Sequence, residues 1–154
     1  MAVKSGMSQN RKSVIVDIDG TLADVEHRLH HIRGRRKNWK KFFALMSKDD
    51  PIKEVIDQVK DLAKDHDIYL VSGRPDDYLE VTLAWLELHQ IPFKDLYMRE
   101  SGDYRPDFVV KQEILDAHFD KDAVALVIED RPSVIRMWKS NGLKVQEVGT
   151  GREF

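Results

Sequence analysis

The stretch Val14-Ile15-Val16-Asp17-Ile18-Asp19-Gly20-Thr21-Leu22 limits the possible folds of this chain more than any other: an apolar run stops at two carboxylates, a glycine and a hydroxyl. The run reads as a buried strand and its acidic end as the mouth of a site. Ligands bind beyond the carboxyl ends of strands in an open parallel sheet, so Asp17 and Asp19 are expected in a site and not in a core. Two acids one residue apart repel each other unless positive charge stands between them. A hard divalent cation such as Mg²⁺, held by a few carboxylates, water and a substrate phosphate, is the usual remedy. Gly20 allows a tight turn there, and Thr21 can hydrogen-bond within it. A solvated turn after a strand could carry the same five residues, so the rest of the chain has to decide.

With 154 residues the expectation is one domain over 1–154 with a single core. The composition, 42% hydrophobic and 34% charged, is that of a globular chain with a heavily charged surface. A net charge of -2 argues against bulk adhesion to nucleic acid and leaves room only for a local basic patch. The absence of cysteine excludes a disulfide framework, thiolate catalysis and a Cys-ligated zinc site. No apolar run approaches the roughly 18 residues of a membrane span, and residues 1–12 read as a loose polar arm. A cytoplasmic location is expected.

After the first strand, Ser13 to Ile18, the segment from Asp24 to Met46 carries Val25, Leu29 and Ile32 at helical spacing, then Trp39, Phe42, Phe43 and Met46 on a second helical face. It reads as two short helices over the sheet. The basic cluster Arg33 to Lys41 lies between them, either a solvated loop or a surface for a polyanion, with Trp39 available to stack on a base. Asp49-Asp50-Pro51 is expected to cap a helix running to about Lys64. A second strand, Asp67 to Val71, ends in Ser72-Gly73-Arg74-Pro75. The following helix is expected to turn Leu79, Val81, Thr82, Trp85, Leu86 and Leu88 inward, and a third strand spans Lys94 to Met98. A polar loop and a helix displaying Lys111 follow, and a fourth strand ends at Glu129-Asp130. A last helix and a strand from Leu143 to Val148 complete the pattern. Strands alternating with helices indicate an α/β fold with a mainly parallel sheet.

Three strands therefore end in polar groups on the same edge of the sheet: Asp17 and Asp19, Ser72 and Arg74, Glu129 and Asp130, with Lys111 nearby. Phosphoryl transfer uses such a set, with a carboxylate to attack phosphorus, fixed donors and a cation for the phosphoryl oxygens, and a second carboxyl to protonate the leaving oxygen.

The ordered set Asp17-Ile18-Asp19-Gly20-Thr21, Ser72-Gly73-Arg74, Lys111 and Glu129-Asp130 resembles the haloacid dehalogenase (HAD) superfamily of phosphohydrolases. Within it, Gly102 to Asp107 followed by Val109-Val110-Lys111, and Glu129 to Pro132 followed by Met137-Trp138, look like the 3′-phosphatase domain of phage-type polynucleotide kinase. The resemblance implies a HAD-like Rossmannoid three-layer sandwich with a small helical cap inserted at about 24–48. It implies Asp17 as nucleophile, Asp19 as general acid and then base, and Mg²⁺ held by Asp17, the backbone carbonyl of Asp19, and Asp130. It places Thr21, Arg28, Ser72, Gly73, Arg74, Asp107 and Lys111 at the phosphate or substrate, with Asp107 expected to orient a cation.

The implied substrate is a 3′-phosphorylated DNA or RNA end or a nucleoside 3′-phosphate. A small-molecule phosphatase or nucleotidase, and a non-catalytic binding module on the same fold, remain as alternatives. Glu129 stands where an aspartate is common. His27 and His31 have i, i+4 spacing without the Glu of a metalloprotease motif, so a surface helix face or substrate contact is expected there. No Gly-x-x-x-x-Gly-Lys-[Ser/Thr] occurs, so no kinase domain is expected. The chain would be a free-standing phosphatase or one part of a longer or multi-protein repair system, with kinase or ligase activity supplied separately.

Overall fold

Val14, Ile15 and Val16 are all buried at 1% exposure or less, so the strand they form has no solvent face and must lie inside a sheet covered on both sides. In the computed structural model, which describes residues 11–151 and 153, that strand is the middle of five. Most of the expected N-terminal arm, residues 1–10, lies outside the described residues.

The strands are β1 (Ser13–Val16), β2 (Ala23–Asp24), β3 (Asp50–Pro51), β4 (Asp67–Pro75), β5 (Asp95–Arg99), β6 (Val124–Glu129) and β7 (Val145–Glu147). The helices are α1 (Trp39–Ala44), α2 (Lys53–Leu62), α3 (Leu79–Leu88), α4 (Asp107–His118) and α5 (Pro132–Ser140). The main sheet has the order β5-β4-β1-β6-β7, and each of its pairings is parallel. The strand order reverses at β1, which makes the crevice beyond Val16 the natural ligand site of this topology.

Alternation along β1 divides the core. Val14 and Val16 pack with Val55, Ile56 and Val59 of α2 and Trp85 and Leu86 of α3. Ile15 packs with Leu115 of α4 and Val134 and Trp138 of α5. Helices thus cover both faces and give three layers. Among the described residues, no helix is long and apolar enough to cross a membrane.

β1 stops at Val16, two residues short of the expected end, because the chain curls there. The carbonyl of Ile18 accepts from the N–H groups of Thr21, Leu22 and Ala23. β2 and β3 then pair antiparallel, Ala23 with Pro51 and Asp24 with Asp50, and form the stem of the inserted segment. That segment holds a 3₁₀ helix at Glu26–His31, then α1 and a 3₁₀ turn at Met46–Lys48. Val25, Leu29, Ile32 and Phe42 form its small apolar cluster.

Two local expectations are corrected. Asp49-Asp50-Pro51 does not cap a helix: Asp50 and Pro51 are β3, and α2 starts at Lys53 without a side-chain cap. Leu79 and Leu88, the first and last residues of α3, are 40% and 72% exposed, and only its middle turns face the sheet.

Leu70 in β4 is fully buried in the core shared by β1, α2 and α3. Leu70→Ala is expected to lower the unfolding free energy by about 2–5 kcal/mol, read from urea denaturation.

Candidate active site

Asp17 is the first residue beyond β1, and its N–H donates to the carbonyl of Ile128 at 3.0 Å, which fixes it beside the end of β6. Its Oδ1 accepts from Lys111 Nζ at 2.8 Å, and the same ammonium donates to Glu129 Oε1 at 3.0 Å. Lys111 comes from the second turn of α4 and is 1% exposed. Trp138 Nε1 of α5 also donates to Glu129 Oε1, at 3.1 Å. The Thr21 hydroxyl stands 3.4 Å from Asp17 Oδ2 and 3.1 Å from Asp130 Oδ1, and its single proton serves one of them at a time.

Asp17, Glu129 and Asp130 are all buried, and each offers an oxygen within 4.8 Å of the others. Three ionised carboxylates against one ammonium would leave a surplus of two negative charges. Burial works against ionised Asp17, but the Lys111 ammonium together with hydrogen bonds from Asp130 and Lys111 holds that carboxyl below its usual range. Burial and the Asp17 charge push Asp130 far above the ordinary value, and they push Glu129 up as well. Hard, convergent oxygen donors with unbalanced negative charge fit a divalent cation. Gly20 makes the arrangement possible: its φ is +85°, and a Cβ there would lie 2.1 Å from Asp130 Oδ2.

Asp19 belongs to a different network. Its Oδ1 accepts from Arg28 Nη2 at 2.8 Å and from Arg74 Nη2 at 2.6 Å. Both arginines are buried, and both also reach Asp49. Arg28 binds it through Nε at 2.7 Å and Nη2 at 2.6 Å, and Arg74 approaches through Nη2 at 3.4 Å. Asp49 is pinned further by His27 Nε2, 2.6 Å from Oδ1, and by Trp85 Nε1, which donates to its carbonyl at 2.9 Å. Arg28 lies 4.3 Å from the Phe42 ring centroid. Arg74 donates to Thr82 Oγ1 at 3.0 Å and, from its backbone, to Ser72 Oγ at 3.1 Å. Burial favours the neutral form of Asp19, but Arg74 and Arg28 together keep it well below the usual carboxylate range.

Asp107, the first residue of α4, pairs with Arg99 and, at 3.2 Å, with Arg131. Arg99 Nε also donates to the Gly73 carbonyl at 2.8 Å. A Cβ on Gly73 would lie 2.4 Å from Asp107 Oδ1, so the end of β4 approaches α4 this closely only with glycine. A cavity of about 530 Å³ opens over Asp17, Asp19, Gly73, Arg74 and Asp107.

The family model described as the polynucleotide kinase PNKP phosphatase domain matches residues 11–153. The chain belongs to this family. It is accordingly a HAD-type phosphatase domain, a phosphoric monoester hydrolase by class. A putative bifunctional polynucleotide kinase/RNA ligase of Autographa californica nuclear polyhedrosis virus is 32% identical over 141 residues, which is 89% of this chain and 19% of that protein. A solved chain of the Pnkp1/Rnl/Hen1 RNA repair complex superposes with a TM-score of 0.79 at 26% identity, covering 93% of this chain and 44% of that one. The HAD-like hydrolase SP0104 of Streptococcus pneumoniae shares the fold, with a TM-score of 0.62 at 13% identity over 90% of this chain and 85% of that one. The chain thus spans less than half the length of the viral protein and of the repair-complex chain.

In this PNKP-type phosphatase domain the residues singled out in the sequence do converge, but in two groups. Asp17, Thr21, Lys111 and Asp130 form the acidic pocket, joined by Glu129, which also presents an oxygen to it. Arg28 and Arg74 close on Asp19, which is not part of the acidic cluster, and Ser72 accepts from the Arg74 backbone. Asp107 faces guanidinium groups and Gly73. His27, expected on a surface helix face or at the substrate, is a partner of Asp49.

Asp49 is the residue that sequence reasoning missed. Its neighbours Asp50 and Pro51 form a helix-start signal, and nothing local marks it as the acid shared by two distant arginines. Arg99 was missed too, although it ties β4 to α4. Asp49→Ala would leave Arg28 buried beside a lost partner. The variant is expected to lose about 3–5 kcal/mol of stability in chemical denaturation, and the double variant Arg28→Met with Asp49→Leu is expected to recover part of it.

Proposed function

We propose that this domain removes 3′-phosphates from nucleic-acid ends or from nucleoside 3′-phosphates, in a Mg²⁺-dependent reaction through an aspartyl-phosphate. One observation carries the reading. Two carboxylates two positions apart, Asp17 and Asp19, meet different cations at the mouth of one cavity, an ammonium for the first and two guanidiniums for the second.

Asp17 is the nucleophile in this reading. Lys111 engages its Oδ1, which leaves Oδ2, 3.4 Å from the Thr21 hydroxyl, as the oxygen for in-line attack. Mg²⁺, held by Asp17, the Asp19 backbone carbonyl and Asp130 with Glu129 beside them, would supply Lewis-acid and charge-clamp chemistry. Ser72 Oγ already accepts from the Arg74 N–H, and its own proton remains available to donate to a phosphoryl oxygen.

Asp19 is the acid and then the base. A phosphate dianion arriving beside Arg28 and Arg74 competes for the guanidiniums that hold Asp19 ionised, and so raises its affinity for a proton. The Asp17–phosphorus bond forms, the bond from phosphorus to O3′ breaks, and the Asp19 proton goes to O3′. Water then attacks phosphorus, Asp19 takes the water's proton, and inorganic phosphate leaves a free Asp17 carboxylate.

The relatives' descriptions name a kinase/ligase and an RNA repair complex, which supports a role beside kinase or ligase activity, whether in one longer chain or in a separate protein; a cytoplasmic site of action belongs to the same reading.

The test is phosphate release with and without Mg²⁺ from a 3′-phosphorylated oligonucleotide, its 5′-phosphorylated twin and a nucleoside 3′-phosphate. Release is expected from the 3′-phosphates and only with Mg²⁺. Asp17→Asn should lower it by roughly three or more orders of magnitude, and Asp19→Asn by about 10²–10⁴-fold. Equal release from the 5′-phosphorylated twin would sink the 3′ assignment, and markedly faster release from the mononucleotide would make the domain a nucleotidase.

A further inference from the structure

His27 and Arg28 are neighbours in the 3₁₀ helix of the inserted segment, and both reach Oδ1 of Asp49, His27 through Nε2 at 2.6 Å and Arg28 through Nε at 2.7 Å. Adjacent side chains of a helix with three residues per turn leave it about 120° apart, so one oxygen shared between them is a specific arrangement. Arg28 also binds Asp49 Oδ2 through Nη2 at 2.6 Å, and Arg74 Nη2 stands 3.4 Å from the same oxygen. A carboxylate offers about four lone-pair directions, and each of those of Asp49 faces a nitrogen donor.

These donors are not equivalent. Arg28 and Arg74 each bridge Asp49 and Asp19, through nitrogens 2.8 and 2.6 Å from Asp19 Oδ1. The carboxylate partner of His27 among the described residues is Asp49 alone, and His27 does not line the cavity over Asp17 and Asp19. Its side chain is 39% exposed while that of Asp49 is fully buried, so His27 grips the acid from the solvent side and the arginines grip it from the site. An ordinary exposed pair contributes little. This one ends on a buried acceptor that sets where the tip of Arg28 lies.

On the reading given under Proposed function, we propose that His27 is a positioning residue for departure of the leaving group. By holding Asp49 it fixes Arg28 and Arg74, and through them it fixes the Asp19 carboxylate where that group meets the leaving oxygen. Without His27, water takes its place at Oδ1 and the carboxyl can turn about its Cβ–Cγ bond. The fork of Arg28 then loses the alignment that carries Nη2 to Asp19. The disturbance stays local, because Trp85 Nε1 still holds the Asp49 carbonyl at 2.9 Å. No bond forms or breaks at His27 itself.

Leaving-group chemistry supplies a readout that a purely structural role would not move. p-Nitrophenolate departs without a proton, phenolate gains from one, and an alkoxide such as O3′ requires one. The ratio kcat/KM covers the steps up to that departure. It is measured with saturating Mg²⁺ for p-nitrophenyl phosphate, phenyl phosphate and a nucleoside 3′-phosphate. Wild type is run beside His27→Ala, His27→Asn, His27→Gln and His30→Ala, with circular dichroism to establish that each is folded. His30 is an exposed histidine of the same helix and serves as the control.

His27→Ala should lower kcat/KM by about ten- to a hundredfold for the nucleoside 3′-phosphate and by less than about threefold for p-nitrophenyl phosphate, with phenyl phosphate between them. His27→Asn, whose amide falls short of the Nε2 position, should behave in the same way and decides the matter should the alanine variant not fold. His27→Gln places an N–H donor near Nε2 and should recover most of the loss, and His30→Ala should match wild type throughout. Equal losses on all three esters, no loss on any, or a glutamine variant no better than asparagine would each overturn the proposal. Hydrolysis of the two aryl esters but not of the nucleoside 3′-phosphate by wild type overturns the substrate reading alone, since the ratio of the aryl esters still decides the role of His27. Hydrolysis of none of the three overturns both.

Discussion

Two carboxylates buried two positions apart at the end of one strand have to be matched by two separate sets of cations, and much of the site follows from that constraint. Asp17 is 7% exposed and Asp19 has a side-chain exposure of only 15%, so water does little to separate their charges. The first is met from α4 by Lys111, which reaches it across the end of the sheet. The second is met from opposite directions in the chain, by Arg28 of the inserted segment and Arg74 of β4. Removing any one of these cations leaves an uncompensated buried charge, which costs far more than an exposed pair contributes.

Asp49 turns this electrostatic match into a mechanical link. The inserted segment begins at the β2–β3 stem and has a small apolar cluster of its own. Beside the contact of Phe43 with Tyr78, polar contacts that converge on one residue attach it over the site. Arg28 and His27 come from its 3₁₀ helix, Arg74 from β4, and Trp85 from α3. A network that is fully satisfied in a low-dielectric setting fixes geometry as well as adding stability, so Arg28 and Arg74 are held ready at Asp19. Any motion of the inserted segment therefore moves a guanidinium at the site.

Pattern reading succeeded where the physics is local. The apolar run before Asp17, the strand–helix alternation and the polar strand ends follow from neighbours in sequence, and they place Asp17, Ser72 and Asp130 on one edge of a parallel sheet. It failed where the deciding partner lies far along the chain. Asp49-Asp50-Pro51 has the composition of a helix start, but the two guanidiniums that claim Asp49 lie 21 and 25 residues away. The inward stripe expected of α3 overreached at Leu79 and Leu88 because periodicity does not report where a helix runs past the sheet. Likewise, the division of the site residues into an acidic pocket and a guanidinium clamp depends on which cations fold onto which acids.

That division gives the cavity a direction. Around Asp19 and Asp49 two carboxylates face two buried arginines, so that part is close to neutral. At Asp107 one carboxylate faces Arg99 and Arg131. The unbalanced negative charge is confined to Asp17, Glu129 and Asp130, where Lys111 is the single cation of the cluster among the described residues. A phosphate entering this field is drawn toward the guanidiniums and repelled by the acidic pocket unless a divalent cation sits there. The same chain thus separates the two requirements of phosphoryl transfer, a carboxylate kept nucleophilic beside a metal-sized acidic pocket and fixed cations for the group being transferred.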